Sequence, residues 1–348
     1  MLDSLDPLAT STGAYVVVVV LGLLFGSFAN VCIYRWPPSD EFPRGRSVMW
    51  PGSHCFACKA PIRWYDNVPV LAWLWLRGRC RSCRAPFSPR YLVVELICGA
   101  LFGFTWWAAV VAPLLFEPFS DRLIHFVVDA AFGFVMVVIT FIDLDHKLIL
   151  NKVTIPSMVV FYAASFLWPD RHWYDGVVGA AVGYGLPWVI GEIYYRITHR
   201  EGLGLGDGML LALVGALLGW RGVLVSLFGG AMIGSVIGIT ALLVGRDEGP
   251  AGDEGDGTPA TGEGGGPEGP EGLEGPERPE GRDGGEASGR PDGREGAEPS
   301  EADERSAPGA PPSILRTELP FGPFLAMAAL FYLFAERWIQ LHFHLPGG

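Results

Sequence analysis

Two pairs of cysteines and three acids are the residues in this chain whose types and spacing could do chemistry. Cys55-Phe-Ala-Cys58 and Cys80-Arg-Ser-Cys83 are separated by 21 residues. Two such pairs can set four thiolates around one tetrahedral ion, and Zn²⁺ favours soft sulfur ligands. With four protein ligands and no open position, the site would be structural rather than catalytic. Two disulfides, or a thiol redox site, are the other readings of the same four residues. The acids stand at the ends of apolar runs. Asp143 and Asp145 close one in FIDLDHKLILN, and Asp207 opens another in GLGLGDGML. Carboxyl groups that meet cannot both ionise easily. One then takes a proton from water while the other donates one to a carbonyl oxygen, which is aspartic-protease chemistry. Plainer roles compete: Asp207 as a helix N-cap, and Asp143 and Asp145 as interface acids balanced by His146 and Lys147. Asp143 and Asp145 are about 200° apart around a helix, so only one of them can face Asp207. Gly204, Gly206 and Gly208 would let a backbone come close.

The elements that position these residues are membrane spans. Half of the 348 residues are hydrophobic and only 18% are charged, which fits poorly with an ordinary soluble globule. A bilayer core needs about 20 apolar residues in a helix. About eight segments are candidates: 14–34, 91–116, 123–142, 153–168, 176–195, 208–220, 222–244 and 321–340. The first lacks a basic flank and a clear cleavage site, so it is expected to stay as a span. The fold class expected is therefore all-α, a polytopic membrane protein with a small zinc-binding loop domain.

Orientation follows from the basic residues in short loops. Loop 35–90 carries 10 Lys and Arg against Asp40, Glu41 and Asp66, so it is expected in the cytoplasm. The next loop has Glu117, Asp121 and a single Arg, and belongs outside. The N-terminus, with Asp3 and Asp6, then lies outside as well. On this map the end of the third span and the start of the sixth share the cytoplasmic edge. Asp143 and Asp207 can meet there although they are 64 positions apart.

The net charge of −12 comes from one stretch: residues 246–305 hold 19 acidic residues against 6 arginines, leaving the remaining chain nearly neutral. Residues 246–313 are mostly Gly, Pro and Glu, cannot bury enough apolar area to fold, and are expected to be a disordered acidic tether. An acidic recruitment tail is the second reading. Cys32 and Cys98 sit inside spans and read as packing thiols. His125, Asp129 and Glu192 read as helix-to-helix hydrogen-bonding groups.

The motifs in order resemble the bifunctional type IV prepilin leader peptidase and N-methyltransferase family, of the GxGD aspartyl protease type. The first span ends GSFANVCIYRWP. The cysteine pairs follow, separated by WYDNVPVLAWLWLRGRC, and then RYLVVEL. FIDLDHKLILN is similar to the family's first aspartate motif and EGLGLGDGMLLALVGALLGW to its second; PFGPFLA resembles its final helix. The resemblance implies Asp143 and Asp207 as the catalytic pair, Asp143 being chosen over Asp145 because it precedes Asn151 by eight residues. It also implies cleavage of the basic leader from prepilins and type II secretion pseudopilins, then N-methylation from S-adenosylmethionine. A bacterial inner membrane location follows, with the lipid bilayer and the pilins as partners and no nucleic acid. The expected organisation is a first span at 1–34, the cysteine loop at 35–90, a peptidase core at 91–245, the acidic insertion at 246–313 and a final span at 314–348. Three positions depart from the family pattern: Leu150 stands in place of Pro, Met209 in place of Lys and His199 in place of Gly. From the residues alone, an ion-coupled transporter and an inactive pilin-assembly scaffold remain the competing classes.

Overall fold

The computed structural model describes residues 6–113, 117–168, 171–199, 204–244 and 320–343. The acidic stretch 246–313 lies outside the described residues. Nine helices follow one another among those described: α1 (Asp6–Ala9), α2 (Thr12–Arg35), α3 (Leu71–Leu76), α4 (Arg90–Trp106), α5 (Phe119–His146), α6 (Asn151–Ser165), α7 (Trp173–Thr198), α8 (Leu205–Val244) and α9 (Gly322–Phe343). No strand is present among the described residues, only two isolated bridges inside the cysteine loop.

Among the described residues, five helices are long and apolar enough to cross a membrane, beginning with the 24-residue α2. At about 1.5 Å per residue that helix is roughly 36 Å long, more than the hydrocarbon thickness. Apolar side chains on its outer face are left exposed, Val17 by 67%. A helix that is apolar all round belongs in lipid. Two segments are shorter, α6 with 15 residues and the apolar part of α9, Gly322–Glu336.

Helix α8 is not one rod. Gly219 has φ 70° and ψ −177°, which breaks the helical path. Beyond it, Gly222 lies against Tyr332 and Gly234 against Phe324. The second limb therefore runs antiparallel to α9, back toward the end where α8 began. Arg171 holds the reversal: it donates to the carbonyl of Leu217 and pairs with Glu336 of α9. The two limbs meet where the sequence places the boundary between spans 208–220 and 222–244.

Small residues set how the helices approach. A Cβ on Gly22 would lie 2.7 Å from Cβ of Phe102, and one on Gly26 would lie 2.6 Å from Cα of Glu95. From the other side, Gly99 faces Leu23 and Gly103 faces Val19. Helices α2 and α4 are thus an antiparallel pair closed by small residues four apart, the usual way for helices to pack in lipid. The first limb of α8 meets α7 in the same manner, Gly179 lying on the backbone of Gly215 and Gly183 on that of Leu211.

Glu192 corrects the sequence reading. Its Oε1 accepts from Arg196 Nε at 2.8 Å on the same helix, so it makes an i,i+4 pair and not the helix-to-helix bond expected. Cys32 and Cys98 are fully buried, in keeping with packing.

Replacing Gly179 by Leu should separate α7 from the first limb of α8. The expected outcome is a thermal melting point several degrees lower in detergent, or loss of folded protein altogether, whereas Gly185→Leu, where a Cβ would meet nothing within 4 Å, should melt like the parent.

Candidate functional site

Asp143 occupies the last turn of α5, with its backbone carbonyl accepting from Lys147 at 2.8 Å as the helix ends in a left-handed residue. A carboxylate at a helix C-terminus opposes the dipole there. The fold answers with a second helix end. The N–H of Gly322, the first residue of α9, donates to Asp143 Oδ2 at 3.1 Å. Its orphan donor and the positive pole of α9 both face the carboxylate. Asp143 is 5% exposed. A Cβ at position 322 would lie 2.6 Å from Oδ2, so only glycine allows this approach.

Asp207 enters from α8. It stands in the first turn, two residues after the helix begins at Leu205, and its own N–H donates to the Gly204 carbonyl at 3.1 Å. It is not the cap residue. The Gly-x-Gly-Asp-Gly run has a packing reason: a Cβ on Gly206 would lie 3.2 Å from Cβ of Ile149, in the turn that follows α5, and one on Gly208 would lie 3.4 Å from the Tyr184 carbonyl of α7. These approaches put the start of α8 beside the end of α5. The carboxyl groups of Asp143 and Asp207 are near enough to act on each other's charge.

Asp145 points elsewhere. It is exposed and pairs with Arg90, the first residue of α4, which also donates to the Phe141 carbonyl at 2.9 Å and covers the Phe141 ring at 5.1 Å. A buried carboxyl that lacks a cation is suited to acid–base work, whereas one neutralised by arginine is not. The chemical role of Gly322 was missed because a backbone donor carries no side-chain signature.

The four cysteine sulfurs lie within 4.8 Å of one another. Cys55 Sγ is 3.7 Å from Cys83 Sγ, and Cys58 Sγ is 4.0 Å from Cys80 Sγ. Four sulfurs about 2.3 Å from one ion would stand about 3.8 Å apart, whereas a disulfide needs about 2.05 Å. The donor set therefore fits a tetrahedral metal, and the pairings fit no S–S bond. Each pair folds alike. Lys59 N donates to the Cys55 carbonyl at 3.0 Å and Cys55 N to the Ala60 carbonyl at 2.9 Å; Arg84 N and Cys80 N repeat this at 3.0 and 2.9 Å. Lys59 and Arg84 both take a left-handed conformation to close the turn. The Cys58 N–H pulls the Cys55 thiol down to about 6, while at Cys83 the pull of the Ala85 N–H is outweighed by burial and the three neighbouring thiols, which push it up to about 11.

The loop is held in shape by Asp66, which takes Arg81 through two nitrogens at 2.5–3.1 Å. Those bonds hold the Asp66 carboxyl below the usual range. The pair therefore favours the folded loop above the ordinary carboxylate pKa, and that contribution fades as pH falls through the lowered value.

Residues 20–109 match the Bacterial Peptidase A24 N-terminal domain and residues 130–239 match the Type IV leader peptidase family. A prepilin leader peptidase/N-methyltransferase of Myxococcus xanthus is 33% identical over 330 residues, 93% of this chain and 91% of the relative. Relatives of the same name from Aeromonas hydrophila and Neisseria gonorrhoeae are 34% and 33% identical, over 65% and 70% of this chain and 81% and 85% of their own lengths. No solved structure matches.

Gly322→Ala should force α9 away from Asp143, lowering any turnover that depends on it by about 10²-fold and the melting temperature by several degrees. Purified protein should carry one tightly bound metal ion by elemental analysis, which Cys58→Ser loses and which is released progressively on acidification, because protons compete for the thiolates.

Proposed function

The chain belongs to the type IV leader peptidase family, and on that premise we propose that it is a membrane aspartyl endopeptidase acting on type IV prepilins and type II secretion pseudopilins, with Asp143 and Asp207 as its catalytic pair. The observation that supports this reading is the approach of the two acids: α5 and α8 bring them near enough to act on each other's charge, with Asp143 buried and no cation paired with it among the described residues. Water and a peptide bond would be taken between them. The ionised carboxyl removes a proton from water, and the oxygen attacks the scissile carbonyl carbon. The protonated partner donates to the carbonyl oxygen. Collapse of the tetrahedral intermediate passes a proton to the leaving amine and frees the leader.

The basic loop 35–90 supports a cytoplasmic position for this end of the bundle, in a bacterial inner membrane. A substrate's apolar helix would lie among the spans while its basic leader stays in the cytoplasm. The scissile bond would then sit where water reaches the acids without crossing hydrocarbon. Zn²⁺ is the metal that best suits four thiolates, and its role would be to fold a loop with little core of its own. The names of the relatives support a second activity, N-methylation of the new N-terminus, for which S-adenosylmethionine would be the methyl donor.

Asp143→Asn and Asp207→Asn, made singly, test the pair. Each should reduce prepilin processing in membranes by about 10²-fold or more, read as the ratio of mature to precursor pilin on a gel. Asp145→Asn should process normally. Full activity in either of the first two variants would remove the dyad.

A further inference from the structure

We propose that α3 and the turn before it form a membrane-docking face, by which the cysteine loop rests on the headgroup layer of an anionic bilayer. The six residues of α3 divide into two sides. Ala72, Trp73 and Leu76 turn inward and line the cavity beneath the loop. Leu71, Leu74 and Trp75, spaced i, i+3 and i+4, share the opposite side. Among the described residues nothing covers that side: Leu71 is 66% exposed and Trp75 83%. The turn Trp64–Asn67 lies next to α3 and adds Trp64, 82% exposed. Large apolar side chains left together at a surface mark an interaction site.

The height of this face decides what it meets. Val70, which opens α3, donates its N–H to Glu95 Oε2 at 2.8 Å. Glu95 stands in the second turn of α4, five residues after Arg90, or about 7.5 Å along the axis. It also packs on Gly26, within the span α2. The start of the loop is tied down from another side, since Lys152 in the first turn of α6 donates to the carbonyls of Trp36 and Arg44. Helix α3 therefore begins alongside two spans and not beyond their ends. The headgroup layer on each side of a bilayer is roughly 5–7 Å deep, so a short helix at this level has its outer face in or against that layer. Indole rings favour the same layer, because they join an apolar body to one polar N–H.

Charge selects the kind of surface. Loop 35–90 carries 10 Lys and Arg against three acids. Arg63 adjoins Trp64, Arg77 closes α3 and Arg79 follows it, all three exposed. No acid pairs with Arg77 or Arg79 among the described residues. Their guanidinium groups can reach lipid phosphates while the stems lie along apolar surface. Basic residues beside exposed Trp and Leu are the composition of helices that lie in the membrane interface. The spans on either side already hold the loop at a bilayer, so this contact needs no second association step. It would fix the level of the cysteine loop over the helix bundle.

Photolabelling of the full-length, metal-loaded protein in vesicles of phosphatidylcholine and phosphatidylglycerol tests the face without any substitution. The probe is a phospholipid with a diazirine at the carbonyl end of its acyl chain. Trypsin cuts after Arg63 and Arg77 and so isolates residues 64–77. That peptide should be labelled along with the spans, and the peptides carrying the cysteine pairs should not. Vesicles of phosphatidylcholine alone should give about fivefold less label there, the factor that one arginine near an anionic surface contributes. Leu71→Ser combined with Trp75→Ser should lower the label about tenfold, with the bound metal retained, because both side chains point away from the loop's interior. If the double variant loses its metal, the label on the parent and its response to lipid charge still decide. A face that seats a protein partner or a second copy would leave residues 64–77 unlabelled while the spans are labelled, and that result overturns the proposal. So does label that ignores lipid charge or survives the double substitution. The measurement makes no use of peptide cleavage, so it stands or falls apart from the proposed activity.

Discussion

One hydrogen bond governs the arrangement of this molecule: the first N–H of α9 donates to the carboxyl of Asp143 in the last turn of α5. It brings the start of the final helix, 179 positions along the chain, onto the end of the third long one. At either helix end alone the groups would be costly. The carboxyl opposes the dipole of α5, and the N–H of Gly322 is an orphan donor. Together they satisfy one another, and the second limb of α8, packed along α9 through Gly222 and Gly234, is placed by the same contact.

That contact fixes depth, and depth is what the proposed chemistry needs. A slip of one residue moves a helical side chain by about 1.5 Å and turns it by about 100°. Gly206 on Ile149 and Gly183 on Leu211 set the level of α8, and hence of Asp207. Backbone-to-backbone stops of this kind are firmer than long side chains meeting, because they have no rotamers to yield. The glycines around Asp207 are therefore positioning elements for the acid as much as room for a ligand.

Much of this was legible in the chain, and what was not has physical reasons. Apolar runs and the basic loop located the spans, and the boundary near residue 221 agreed with the reversal at Gly219. The doubled cysteine pairs announced four converging sulfurs. The resemblance to the family's first aspartate motif favoured Asp143, whose burial and bond to Gly322 set it apart from the arginine-paired Asp145. Three features were hidden. Gly322 acts through its backbone. Glu95 in RYLVVEL was not singled out, because its bond to the Val70 N–H depends on a loop 25 positions earlier in the chain. Glu192 was misread because an acid in an apolar helix can find its partner one turn away on its own helix, where Arg196 stands.

The departures from the family pattern gain a physical account at one position. His199 ends α7 at φ 53°, a conformation in which glycine carries no side-chain penalty and a histidine costs about 1 kcal/mol. The fold offsets part of that. His199 N–H closes the helix on the Tyr195 carbonyl at 2.8 Å, and its ring meets the Tyr195 ring edge to face at 6.3 Å. The geometry of the helix end is thus preserved when the residue that usually favours it is replaced. A turn can be specified by its hydrogen bond even where its residue type disagrees. What α7 must deliver is a firm wall for the first limb of α8, and the glycines at 176, 179 and 183 supply it well away from this helix end.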